Sequence, residues 1–204
     1  MKSIAILASA TGLVCSLAAI NALTAWADDQ LKGKYAFTEN QQCLFAAGGG
    51  FNAILQPNNP ARSVLGSNAH AGTYTFDGDG GLTVDEITHV ISTPAYSGNP
   101  TLPSTHSETG TGSGDYKFAA DGSVTLTFAI TAAKILSGPN AGLTFSIDKF
   151  VLSGQLSTDN KTLLLSATEP VVSTVTFPNS TTFPQGLVIP LICNFSGTAV
   201  RVGP

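Results

Sequence analysis

The side chains able to do chemistry are few, and their spacing limits what each can do. Asp85 and Glu86 are adjacent carboxylates. In a strand, neighbours point to opposite faces, so these two do not form the facing pair that glycoside hydrolysis needs. Glu86 alone is the better candidate. A carboxylate sharing a face with apolar residues costs several kcal/mol unless it is paired or protonated, so its presence implies a function or a partner. A register slip of one residue would instead turn Glu86 to water. The histidines are His70, His89 and His106. His70 and His89 fall on the two arms of one expected hairpin, at similar height but on opposite faces, so they do not converge on a metal. His106 falls in a connection and is expected to be solvated.

Other motifs dissolve on inspection. Asp77-Gly78-Asp79 invites a calcium reading, but an EF-hand starting there needs Gly at its sixth position and Glu at its twelfth, where Leu82 and Thr88 stand. Turn chemistry explains the run better. Gly48-Gly49-Gly50 is followed by no Lys-Ser/Thr, so it does not read as a phosphate cradle. There is no Gly-x-Ser-x-Gly and no ordered Ser/His/Asp set. No catalytic residue, metal or cofactor is expected from these patterns.

The elements that must position any site are set by one short phrase used three times: Gly33-Lys34-Tyr35-Ala36-Phe37, Gly72-Thr73-Tyr74-Thr75-Phe76 and Gly114-Asp115-Tyr116-Lys117-Phe118. In a strand the Tyr and Phe of each copy share a face. The second copy runs into Asp77-Gly78-Asp79-Gly80-Gly81 and the third into Ala119-Ala120-Asp121-Gly122-Ser123, and both then resume as strand-like sequence. Each therefore reads as the first arm of a hairpin. With Gly78-Asp79-Gly80 as a three-residue loop, Phe76 faces Leu82, Tyr74 faces Val84 and Glu86 stands opposite Gly72, on the aromatic face.

Further along, Leu31 to Phe37 is the first strand, Glu39 to Gln42 a polar break, and Phe51 to Leu55 a candidate strand. Residues 93–113, rich in Pro, Gly and hydroxyl side chains, read as a long connection. Val124 to Ala133 is the cleanest alternating strand, and Leu143 to Ser153, Gly154 to Thr168 and Val171 to Phe177 follow. Pro190 makes Leu187 to Ile192 an edge or bulged segment, and Asn194 to Val202 closes the chain. No segment carries a convincing helical period. Eight to ten short strands joined mostly by hairpins predict an all-β fold, an antiparallel barrel with a β-sandwich as the alternative.

The chain has 204 residues and a net charge of −4, with charged residues at only 11%. No basic run is present, so no nucleic-acid partner is expected. Lys2, the apolar or small stretch Ile4 to Ile20, and Ala25-Trp26-Ala27 before Asp28-Asp29 have the form of a signal peptide with its cleavage site. Residues 1–27 are therefore expected to be removed, leaving 28–204 as one domain in a secreted or periplasmic protein with no membrane span. A membrane anchor and a lipoprotein built on Cys15 fit less well, since Gly12-Leu13-Val14 is a poor lipobox. Cys43 and Cys193 remain and are expected to form a disulfide in an oxidising compartment. Cys43 lies just after the first strand and Cys193 in the last, so such a bridge would tie the two ends of the sheet together, as closure of a barrel requires.

The stretch Gly72 to Thr83 resembles a signature of exported bacterial proteins of unassigned activity, built from repeated Gly-x-Tyr-x-Phe and Asp-Gly-x-Gly hairpins. In shape such proteins are similar to lipocalin-type and allene-oxide-cyclase/dirigent-type barrels, and that likeness is one of fold alone. An eight-stranded barrel is just wide enough to be filled or to hold one small ligand. The leading expectation is thus a non-enzymatic barrel binding a small apolar molecule, with Tyr35, Tyr74, Glu86, Tyr116, Phe128 and Phe145 as the candidate lining. An isomerase or cyclase using the same cavity is one alternative, and a structural or adhesion module without a ligand is the other. Oligomeric state is not fixed by the sequence.

Overall fold

The computed structural model describes residues 31–92, 104–119, 121–138, 140–179 and 186–203. The expected signal peptide and the core of the Pro-rich connection lie outside the described residues. The rest is an all-β barrel: β1 (Lys32–Ala46), β2 (Ser63–Asp77), β3 (Gly81–Ser92), β4 (Ser104–Phe118), β5 (Ser123–Ile135), β6 (Thr144–Leu156), β7 (Thr162–Ser166), β8 (Val172–Phe177) and β9 (Leu187–Arg201). Every pairing among them is antiparallel. A hydrogen-bonded ring runs through β1 to β7 in order, passes to β9, and returns to β1. The short β7 and β8 share one slot between β6 and β9: β7 pairs with Ser153 to Leu156, and β8 with Ser146 and Ile147.

Closure rests on β1 and β9, which run side by side from Tyr35↔Arg201 to Phe45↔Leu191. Cys43 stands directly opposite Cys193 in that ladder, and the two are joined as a disulfide. The bridge therefore crosses the seam where the first strand meets the last.

The hairpin register is the one the sequence predicts, with Phe76↔Leu82, Tyr74↔Val84 and Gly72↔Glu86. Three turns crowd one end of the barrel, and each is held by an aspartate. Asp77 Oδ1 accepts the backbone N–H groups of Asp79 (2.7 Å) and Gly81 (2.9 Å), while Gly78 and Gly80 take positive φ. Asp121 accepts from the Ser123 amide and hydroxyl, and Asp159 from the Ser157 hydroxyl and the Lys161 amide. These hydrogen bonds hold all three carboxyls below their ordinary range.

That end is also the solid one. Tyr35, Tyr74 and Tyr116 are all fully buried inside the barrel. Phe37 stacks on Tyr74 with centroids 4.3 Å apart, and Phe76 meets both Tyr35 and Tyr116 edge-on at 5.4 and 5.2 Å. Leu31 plugs the base, where its carbonyl accepts the Tyr116 hydroxyl (3.0 Å), and the Tyr35 hydroxyl donates to the Asn160 carbonyl (2.7 Å) in the β6–β7 turn. The repeated phrase thus supplies both the filling of this half and the hydroxyls that tie its floor together.

Three readings need correction. Glu39 to Gln42 is no break: β1 runs through it, because the polar side chains at 39 and 41 keep the inward alternation begun by Tyr35 and Phe37. Residues 104–113 belong to β4 rather than to a loop, as a strand of Ser, Thr and Gly paired on both sides has no apolar alternation to announce it. Phe51 to Leu55 forms a turn with one isolated bridge, Phe51↔Pro57, rather than a strand. The only helical turn among the described residues is the 3-10 turn Pro60–Arg62.

Candidate functional site

Alternation decides what faces inward in the other half. Continuing β1 by twos from Tyr35 and Phe37 gives Glu39, Gln41 and Cys43, and continuing β2 backwards from Tyr74 gives Gly72, His70 and Asn68. All of these positions face into the barrel, and Glu39, Gln41, Asn68 and His70 are buried. On β3 the same rule brings in Val84, Glu86, Thr88 and Val90. A polar layer therefore crosses the barrel above the aromatic plug.

Its members are joined. Gln41 Oε1 accepts from Asn68 Nδ2 (2.5 Å) and lies 2.8 Å from His70 Nε2, which donates to it in the tautomer that carries its hydrogen on that nitrogen. His70 Nδ1 is 3.0 Å from the Thr88 hydroxyl and 3.3 Å from Glu86 Oε2. Below them, the Tyr74 hydroxyl donates to Glu39 Oε1 (2.7 Å). Burial pushes the Glu39 carboxyl up to about 7, helped by the Glu86 charge and opposed by the Tyr74 hydrogen bond and His70. Burial, with the Glu39 charge, raises the Tyr74 phenol well above its ordinary range.

Both glutamates gain their room from glycine. Glu39 stands opposite Gly197 on β9, and Glu86 has Gly72 on one side and Gly110 on the other. A methyl group at residue 110 would come within 3.1 Å of Glu86 Oε1. In β4 the inward positions 110, 112 and 114 are all glycine, which leaves the interior to side chains from the strands opposite.

Above the polar layer lies a cavity of about 180 Å³. Its floor is Gln41, Asn68, His70 and Glu86, and its walls are apolar, from Phe45, Ile130, Phe145, Ile147, Phe150 and Val175 to Ile189 and Leu191. His106, Glu108, Thr109 and Asn140 also line it. His106 is thus not solvated in a loop, as expected, but sits on β4 with its Nε2 3.2 Å from Glu108 Oε2.

Of the candidate lining residues, Glu86 and Phe145 border this cavity. Tyr35 and Tyr116 are packed into the aromatic plug, and Tyr74 and Phe128 pack edge-on against each other at 5.9 Å. Glu39, Gln41, Asn68 and Glu108 went unrecognised. The signal was present for two of them: Tyr35 and Cys43 are an even number of residues apart, so an inward Tyr35 and a closing Cys43 force residues 39 and 41 inward. His70 and His89 lie on opposite faces as expected, buried and exposed.

Among the described residues no cluster of three or more His, Cys, Asp or Glu side chains could hold a metal ion, and no helix is long and apolar enough to cross a membrane. No protein-family model matches the chain, and no curated protein matches it in sequence.

Proposed function

We propose that the protein binds one small, mainly apolar molecule in the open half of the barrel. The observation that carries this reading is the contrast between the two halves: one filled with interlocking aromatic rings, the other retaining a cavity of about 180 Å³ under apolar walls. An apolar cavity of roughly 150 Å³ is enough to take up benzene, so the size suits a single-ring or short branched compound. The expected leader and the disulfide across the seam fit an exported protein.

The test is titration with toluene and benzyl alcohol, followed by backbone amide shifts. Binding should perturb residues of β6, β8 and β9 around Ile147, Val175 and Leu191 and leave the Tyr35–Tyr116 end unchanged. Native mass spectrometry of protein from its own host supplies the natural occupant. If neither probe binds and nothing ever co-purifies, the proposal fails.

A second reading, an isomerase or cyclase using the same cavity, draws on the contact between His70 and Glu86 in the cavity floor. A general base placed against an enclosed apolar substrate needs little further machinery. Turnover of the natural occupant that disappears in His70→Asn while binding persists would favour it over binding alone.

A further inference from the structure

Resting on that reading of the cavity, we infer that its occupant carries a hydrogen-bond donor, a hydroxyl or amino group, seated on the Asn68 side-chain oxygen, and that the site rejects carboxylates. Two independent observations lead there.

The first is the state of Asn68. Its nitrogen is committed to Gln41 Oε1, with the Cys43 sulfur 3.9 Å away. The Gln41 oxygen also lies 2.8 Å from His70 Nε2. That leaves Oδ1 of Asn68 as the free end. Among the described residues it is the buried side-chain oxygen or nitrogen with no partner, on a residue only 8% exposed that borders the cavity. A buried amide oxygen without a donor costs about 1–3 kcal/mol, and a ligand hydroxyl or amine removes that cost.

The second is charge. Two carboxylates line the cavity, Glu86 and Glu108, each matched to its own histidine: His70 at 3.3 Å and His106 at 3.2 Å. No Lys or Arg is among the described lining residues. Each of the two histidines already faces a glutamate carboxylate. A fatty acid or aromatic acid would give up its hydration and meet no unpaired cation, with two carboxylates close by. An uncharged donor such as an alcohol gives up no ionic hydration, and its hydrogen finds an acceptor waiting.

The experiment compares toluene, benzyl alcohol and benzoate on the full protein by calorimetry or amide-shift titration at one pH. Benzyl alcohol should bind about tenfold more tightly than toluene, the ratio that one recovered hydrogen bond of about 1.4 kcal/mol gives, and benzoate more weakly than either. Transfer of magnetisation from the bound alcohol's methylene protons to the Asn68 side chain should place its hydroxyl end at the floor. In Asn68→Leu the alcohol should fall to the affinity of toluene while toluene is unchanged. Benzoate matching the alcohol, or the alcohol gaining nothing over toluene, overturns the inference and leaves the cavity reading intact. If no member of the panel binds, the cavity reading falls and this inference with it. The wild-type series decides the matter even if the leucine variant does not fold.

Discussion

Glu39 and Gly197 face each other across the β1–β9 ladder, and the place a side chain would take at residue 197 is already filled by the Glu39 methylene groups. The Thr38 carbonyl lies on the same spot, 2.8 Å from where a methyl carbon would sit. The barrel seam thus accommodates an interior carboxylate by leaving its neighbour without a side chain. Gly197→Ala should therefore destabilise the protein by about 2–4 kcal/mol, the range of overpacking against backbone and a buried neighbour. Glu39→Ala in the same chain should recover part of that loss, so the two changes are non-additive in urea unfolding. An alanine at 197 that costs less than about half a kcal/mol would contradict the packing described.

Glu39 also sets a pH dependence whose sign is unusual for a carboxylate. Its ordinary value is 4.5 and burial in the fold pushes it up to about 7. Between those values the folded state holds a proton that the unfolded chain releases. The stability this gives is complete below about pH 4.5 and lost as the pH rises through about 7, a change of about 3 kcal/mol in all. Asp77, Asp121 and Asp159 act in a separate window: their carboxyls are depressed, so their contribution is present above 3.8 and lost only on further acidification. Unfolding free energies at pH 5 and pH 8 should fall with rising pH in the wild type and stay nearly level in Glu39→Gln. Parallel lines for the two proteins would remove Glu39 as the cause.

The Cys43–Cys193 bridge spans a sequence separation of 150 and joins directly opposed residues at the seam. Loop-closure arguments give on the order of 4–5 kcal/mol for a loop this long. Reduction, or the double change Cys43→Ala with Cys193→Ala, should lower the urea midpoint accordingly. The fold should survive at low temperature, because eleven consecutive register pairs between β1 and β9 remain. Coincident unfolding curves with and without reductant would show that the bridge does not constrain the unfolded chain.

The two halves of the barrel should separate by mutation. Phe76→Ala opens a void among Tyr35, Tyr74 and Tyr116 and should cost about 3–5 kcal/mol, with ligand affinity unchanged wherever the protein stays folded. Ile147→Trp puts an indole into the cavity and should abolish toluene binding while moving the unfolding midpoint little. Retained binding in the tryptophan variant would place the ligand elsewhere.

Much of the fold was legible because alternation and turn chemistry are local. The three Gly-x-Tyr-x-Phe phrases, the Asp-Gly turns and the hairpin register that sets Glu86 opposite Gly72 all follow from residues close in sequence. The pairing of Cys43 with Cys193 followed from compartment and count. What misled the reading was polarity: β4 and the middle of β1 carry Ser, Thr, Gly, Glu and Gln where a strand is usually recognised by apolar residues.

The sequence by itself determined that Tyr35, Tyr74 and Tyr116 share an interior and that Cys43 meets Cys193, since side-chain period and disulfide chemistry need no knowledge of distant contacts. Only the tertiary structure decided which half of that interior is solid. It also decided that Glu39, His70, Glu86 and Asn68, spread over three strands, lie in one layer beneath a cavity. Height along a closed barrel depends on the stagger of every strand against the next, and that stagger is fixed by ring closure through β9 rather than by any single hairpin.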